Sequence, residues 1–298
     1  MIQIAKDFIQ HIKNEKFYAE NTCISYQRDI EKWMIFLKQQ KIKSWKELKK
    51  SDVKYFVITM HNKGKSVKSI RRYLSTLKLL FSYLIDISYI NHNPVKGINT
   101  PKLKKNLVET IDYGQIEAFI ASVEKNSNFA SRDIAIIELL YSSAIRLSEL
   151  VGLNVEDIDF NSNFIKVFGK GSKERYTPIG KHAHNALKRY LNNRANDNKA
   201  LFLSKYNKRL SPRMVEKILE NLSKQSGIGI HIYPHLLRHS AATHFLQSSH
   251  DLRTVQEFLG HKNIASTQVY THLDFLELAK TFDKCHPKGI RNKKREKN

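Results

Sequence analysis

The chain has 298 residues, enough for two domains of ordinary size, and 41% of them are hydrophobic, so a normal core can form. Its 51 Lys and Arg against 28 Asp and Glu leave a net charge of +23, which points to a polyanionic partner, nucleic acid first. Two distant cysteines, Cys23 and Cys285, exclude a disulfide framework or a zinc knuckle, and 11 Gly with 6 Pro exclude collagen-like or Pro-rich disordered chains.

The cysteine usage suits a reducing, cytoplasmic compartment. No signal peptide is expected, because the N-terminal stretch MIQIAKDFIQHIKNEK lacks an apolar run. No window approaches the roughly 18 uninterrupted apolar residues of a membrane span, and no helix reads as a basic, aromatic-rich membrane-surface helix. The charge is spread out. Nineteen basic and 8 acidic residues fall in the first 100, and 32 and 20 in the rest.

The first 90 residues read as helices. Asn21-Thr22 is expected to cap one whose apolar positions Ile30, Trp33, Met34 and Leu37 recur at helical spacing. Ser51 is expected to cap a short helix running to about residue 62. Ser66 opens a longer one with a stripe of Ile70, Tyr73, Leu74, Leu77, Leu80, Phe81 and Leu84. Its other face carries Lys68, Arg71, Arg72 and Lys78, with Lys63 and Lys65 just before it. Such a face is either solvated or laid on DNA phosphates. Asn91-His92-Asn93-Pro94 ends the pattern, and the aperiodic, Lys-rich stretch to about residue 108 reads as a linker. Joined in this way, two basic modules can close around a duplex.

The second part is mixed. Helices are expected at 113–125, 131–151, 181–194, 211–225, 234–249, 251–259, 266–271 and 274–283, the fourth with Ser211 as cap and Pro212 in its first turn. Segments 164–168 and 175–179 read as strands joined by a Gly-rich hairpin loop, and 201–204 as a third strand. The tail 289–298 is basic and expected to be disordered. The predicted class is mainly α, with an N-terminal helical domain at 1–90 and an α+β domain at 109–288.

Several residues carry chemistry, and each also has a plain structural reading. His235 and Arg238 stand three apart on a predicted helix and share a face. A guanidinium fork fits two phosphate oxygens at once, though a surface pair is the simple alternative. Arg146 sits among apolar residues three before Glu149. That spacing suits an intrahelical ion pair, and a guanidinium buried there also calls for an anion. Lys170 lies between two glycines at the hairpin tip, where an exposed turn lysine would serve as well. His261 follows Leu259-Gly260, a common helix ending, and Tyr270 is one of 13 tyrosines.

Order and spacing weigh more than any one of these. The string Arg146, Lys170, His235-x-x-Arg238, Leu259-Gly260-His261, Tyr270 resembles the tyrosine recombinase family of phage-integrase type. The words RLSELVGL at 146–153, GKGSKERYTPIG at 169–180, HLLRHSAATHFL at 235–246 and LGHKNIASTQVYTHL at 259–273 match it too, and ENTCISYQRDIEKW resembles its N-terminal domain. The likeness covers nearly the whole chain and is nearest to the Xer branch, its XerC members in particular. It implies an N-terminal four-helix SAM-like core-binding domain and a catalytic domain with a small antiparallel sheet.

The resemblance also implies site-specific strand exchange through a 3′-phosphotyrosyl intermediate, resolving chromosome or plasmid dimers in chromosome partition and cell division. Tyr270 would be the nucleophile, Arg146 and Arg238 the phosphate clamp, His261 a further donor, His235 an aid to deprotonation, and Lys170 the general acid for the leaving 5′-oxygen. Glu149 and His239 would orient the clamp. Lys65, Lys68, Arg71, Arg72, Lys173 and Arg175 are candidate DNA contacts. No cofactor and no metal ion are implied. The implied partners are a double-stranded recombination site, a second, XerD-like recombinase in a heterotetramer, and a septal DNA translocase. The apolar face of Leu276, Leu278, Ala279 and Phe282 would dock on a neighbouring subunit or pack within its own chain. In one place the chain departs from the family: Ala144-Ile145 stands where Gly-Leu is usual before the first arginine. Alanine favours a helix, so the departure bears on the backbone at Arg146.

Three other readings compete. A type IB topoisomerase uses similar chemistry as a monomer and would relax a plasmid that carries no recombination site. A non-catalytic DNA-binding protein on the same scaffold would not need the intact set of six residues. A metal-dependent nuclease built from His235, His239 and His244 lacks acidic partners at ligand spacing.

Overall fold

The computed structural model describes residues 1–98, 110–169, 174–194, 197–259, 281–282 and 284–288. The chain divides into two compact units, Met1–Leu107 and Val108–Asn298.

The first unit is built from α1 (Ile2–Asn14), α2 (Glu20–Gln39), α3 (Lys50–Asn62) and α4 (Val67–Asp86). Ser66 caps α4 as its sequence predicts, its hydroxyl accepting from the Ser69 N–H at 3.2 Å. The stripe from Ile70 to Leu84 is buried along its whole length. It meets an aromatic cluster in which Trp33 stacks on Phe36 at 5.4 Å and takes Phe56 edge-on at 4.9 Å, while Trp45 meets Phe81 edge-on at 5.9 Å. Ile90 and Val95 belong to this core, so packing continues past residue 90 into the stretch read as linker.

Two helix starts differ from expectation. α2 begins at Glu20, because Ala19 already has the extended backbone of an N-cap and its carbonyl accepts from the Thr22 and Cys23 N–H groups. Asn21 and Thr22 therefore lie inside the first turn. α3 begins at Lys50, where Asp52, rather than Ser51, reaches back to accept the Lys49 N–H at 2.8 Å.

A buried carboxylate fixes α4 against α2. Asp29 accepts from Arg72 Nε and Nη2 at 2.9 and 2.8 Å and from the Thr76 hydroxyl at 3.1 Å.

The second unit holds α5 (Tyr113–Asn126), α6 (Ala130–Ser142), α7 (Leu147–Gly152), β1 (Ile158–Asp159), β2 (Phe164–Phe168), β3 (Glu174–Pro178), α8 (Lys181–Asn192), α9 (Pro212–Gln225), α10 (Pro234–Ser249) and α11 (Leu252–Leu259). α6 is buried from Arg132 to Ser142 and packs against α5, α8 and α10. The sheet is antiparallel in the order β1-β2-β3, with Ile165 opposite Thr177 and Val167 opposite Arg175. Mostly helical, with one small antiparallel sheet, the chain has the predicted class.

Two expectations for this unit are corrected. The single helix predicted at 131–151 is two, broken at Ser143–Arg146. There Ser143 donates to the Pro178 carbonyl at 2.8 Å, and Ala144 takes a left-handed φ of 45°. Segment 201–204 is not the third strand, which is Ile158–Asp159. Its backbone groups take different partners instead: the Leu201 N–H bonds the Leu153 carbonyl at 2.9 Å, and the Leu203 N–H bonds the Tyr190 hydroxyl at 3.2 Å. Helix 266–271, helix 274–283 apart from residues 281–282, and the tail 289–298 lie outside the described residues.

The two tryptophans, Trp33 and Trp45, both sit in the first unit, so their fluorescence during urea unfolding reports that unit alone. Arg72→Ala leaves the Asp29 carboxylate buried beside Thr76 and should destabilise this transition by about 3 kcal/mol. Asp29→Ala should cost less, about 1–2 kcal/mol, because the freed guanidinium is half-exposed and rehydrates.

Candidate active site

Arg146 occupies the N-cap position of α7, with extended backbone angles. Glu149 lies three residues on and is 2% exposed. Its Oε2 accepts the Arg146 backbone N–H at 2.8 Å, and its Oε1 accepts Arg146 Nη1 at 2.8 Å. The ion pair expected from sequence is present, but a second guanidinium shares it. Arg175, from β3, donates Nη1 to Oε1 at 2.6 Å and Nη2 to Oε2 at 3.0 Å. Burial alone would raise the Glu149 pKa; the hydrogen bonds and charge of Arg175, with Arg146 added, outweigh it and hold the carboxylate below its ordinary range. The other end of α7 is closed by Arg209, whose Nη1 donates to the carbonyls of Val151 and Leu153, each at 2.8 Å.

Arg238 comes from α10 and is 7% exposed. Its Nη1 donates to the Ala144 carbonyl, two residues before Arg146, and its Nη2 donates to the Leu259 carbonyl at the end of α11. Among the described residues it makes no ion pair, only these two bonds to neutral oxygens. Burial, and the nearby charges of Arg146 and Arg175, push its pKa down to about 10, so it stays charged at neutral pH. Arg146 and Glu149 from the start of α7, Arg175 from β3 and Arg238 from α10 thus share one site rich in positive charge.

His235 lies one turn before Arg238 on α10 and is exposed; His239 is partly buried next to Arg238 in sequence. Lys170, Lys173, His261 and Tyr270 lie outside the described residues. In the first unit Lys65, Lys68 and Arg71 are exposed on or just before α4, whereas Arg72 commits its Nε and Nη2 to Asp29. His244 is bonded through Nδ1 to the Tyr141 hydroxyl at 2.7 Å. Among the described residues no group of three or more His, Cys, Asp or Glu is arranged to hold a metal ion.

The model of the phage integrase family matches residues 109–277, and that of the phage integrase N-terminal SAM-like domain matches residues 5–87. The chain belongs to the phage integrase family. Tyrosine recombinase XerC of Alcanivorax borkumensis is 41% identical over 298 residues, which span 98% of this chain and 96% of that protein. Two solved structures share the integrase fold. The Tn1549 transposon integrase in complex with transposon right end DNA has a TM-score of 0.73 at 21% identity, over 92% of this chain and 97% of that one. A lambda integrase tetramer bound to a Holliday junction has a TM-score of 0.69 at 15% identity, over 90% of this chain and 80% of that one.

Two features of this chain were not read from its sequence. The first is Ala144: the position was expected to favour a helix, yet it holds a left-handed φ of 45°, where glycine is the easy choice. The second is a socket for residues 281–282 and 284–288. Phe282 packs on Phe245 and Phe258 and stacks on His286 at 4.5 Å, within its own chain. Lys288 is 1% exposed and donates Nζ to Glu138 at 2.9 Å and to Glu117. Burial would lower its pKa, but the two carboxylates outweigh that and keep the ammonium charged. Gly180 belongs to the socket, since a Cβ there would clash with the Lys288 carbonyl oxygen.

Ala144→Val places a β-branched side chain on a left-handed, fully buried backbone and should cost at least about 2 kcal/mol in urea unfolding followed by circular dichroism. Ala144→Gly trades a buried methyl group against backbone relief and should stay within about 1 kcal/mol of the parent.

Burial, with His244 and Lys288 nearby, pushes the His286 pKa down to about 3. The unfolded chain binds that proton at about pH 6.5, so stability should fall as pH drops below 6.5, by about 1.4 kcal/mol per unit from this group. His286→Phe should flatten the dependence of unfolding free energy on pH between 6.5 and 5.

Proposed function

We propose that this chain is a site-specific recombinase that cuts and rejoins DNA through a 3′-phosphotyrosyl intermediate on Tyr270. The observation that carries the reading is the meeting of Arg146 and Arg238, from elements far apart in sequence, in a pocket whose buried carboxylate is already engaged by Arg146 and Arg175. A buried guanidinium whose partners among the described residues are two carbonyls calls for an anion, and a phosphodiester supplies one. Family membership names the reaction class that uses such a clamp.

In this reading Arg146 and Arg238 hold the non-bridging oxygens, where charge grows in the pentavalent transition state. His261 adds a donor. His235 helps Tyr270 lose its proton as the phenol attacks phosphorus, and the 5′-oxygen leaves with a proton from Lys170. The new phosphotyrosyl ester keeps the free energy of the broken bond, so religation needs no nucleotide. Glu149 and His239 orient the clamp. Lys65, Lys68, Arg71 and, with its fork partly committed, Arg72 meet backbone phosphates from the first unit, and Lys173 does so from the second.

Strand exchange needs an active site at each of four strands, hence a tetramer on two duplexes. The lambda integrase tetramer on a Holliday junction shows a relative of the same fold in that arrangement. Likeness to XerC proteins extends the reading to a second, XerD-like recombinase, to resolution of chromosome or plasmid dimers at cell division in the cytoplasm, and to a septal translocase as activator.

Arg146→Ala or Arg238→Ala should lower single-turnover cleavage by about two to three orders of magnitude, by analogy with loss of an oxyanion-hole donor. Tyr270→Phe should abolish the SDS-resistant adduct on a nicked suicide substrate while retaining DNA affinity in a gel shift. A covalent band that persists with Tyr270→Phe would refute the assignment, and relaxation of a plasmid without any recombination site would favour a topoisomerase instead.

A further inference from the structure

We infer that Arg175 is a positioning residue of the recombination site: from β3 it holds Glu149, and Glu149 in turn aims Arg146. This rests on the reading that Arg146 grips the scissile phosphate. It changes the role expected of Arg175, which its sequence context makes a DNA contact.

Register is the first argument. Arg175 lies opposite Val167, which is fully buried, and shares its side of the strand with buried Thr177. Alternation along β3 therefore turns the guanidinium inward, and its side chain is 18% exposed.

The second argument is the shared carboxylate. Glu149 Oε1 accepts from both Arg146 Nη1 and Arg175 Nη1, and Oε2 accepts from the Arg146 backbone N–H and Arg175 Nη2. Arg175 takes the bidentate place. Arg146 is left with one side-chain bond to Glu149, and its side chain is 39% exposed. Its Nε and Nη2 make no bond to Glu149 and, among the described residues, no other bond, which leaves them to meet phosphate oxygens. Without Arg175, Arg146 could close its own fork on Glu149 and turn from the substrate.

Arg175→Lys is the informative variant. It keeps a positive charge beside the buried carboxylate, so the fold survives, but a lysine cannot bridge both oxygens. With saturating suicide substrate, the single-turnover cleavage rate should fall about 10- to 100-fold, in line with a misplaced catalytic group. DNA affinity and its salt dependence should change by less than about 3-fold, since no phosphate contact is lost. In an Arg146→Lys background, adding Arg175→Lys should cost less than about 3-fold more, because both changes act through one group. Three results would each overturn the inference while the parent enzyme still forms its covalent adduct: cleavage by Arg175→Lys at the parental rate, a loss that tracks weaker DNA binding with a smaller salt slope, or losses that multiply in the double variant. A parent enzyme forming no adduct would overturn the functional reading, and this inference with it.

Discussion

Like charges gathered in one pocket repel, and the arrangement of the second unit answers that repulsion. Two unit charges about 4 Å apart are unfavourable by about 4 kcal/mol at the effective dielectric near a protein surface. Arg146, Arg175 and Arg238 lie close enough for the first two to lower the pKa of the third. One buried carboxylate, Glu149, and two carbonyls, those of Ala144 and Leu259, hold them in place. These partners are matched unequally. Glu149 neutralises about one charge between two guanidiniums, and the carbonyls neutralise none. The net positive field that remains is what an anionic backbone would complete.

The scaffold around that pocket is stiff where it has to be. The short α7 is fixed at its start by Glu149 and at its end by Arg209 on the carbonyls of Val151 and Leu153. The turn leading into it is held by Ser143 on Pro178 and by Arg238 on Ala144. A helix of six residues has little stability of its own, so these tertiary bonds, rather than helix propensity, define where Arg146 sits.

Much of the fold was legible in the sequence, for a simple reason: a buried stripe leaves a period. The α4 stripe followed from it, while the Ser211 cap with Pro212 on α9 and the strands β2 and β3 were legible from local residue types. The break between α6 and α7 did not, because it depends on Pro178 and Arg238, which lie far along the chain from Ser143 and Ala144. The 201–204 segment looked like a strand, but its hydrogen bonds go to Leu153 and Tyr190. In the site, Arg146 and Arg238 could be read from their motif words. The inward turn of Arg175 was also available in principle, since it shares parity with Thr177. In sequence it follows the basic Lys170 and Lys173, a context that suits a DNA contact equally well. Lys288 and His286 gave no signal at all: a lysine just before a basic tail looks solvated until the carboxylates of Glu117 and Glu138 are seen around it.

The two carbonyl bonds of Arg238 have one more implication, for which amino acids the position tolerates. A flat, five-donor head group can brace two separate stretches of main chain with its terminal nitrogens and still point the other hydrogens of those nitrogens, and Nε–H, elsewhere. An ammonium offers a single atom from which to radiate all its bonds, so lysine could copy the charge there but could not span from one carbonyl to the other. The two bonds thus require planarity and breadth at this position, and a basic replacement that keeps the charge would still let the end of α11 drift from the turn before Arg146.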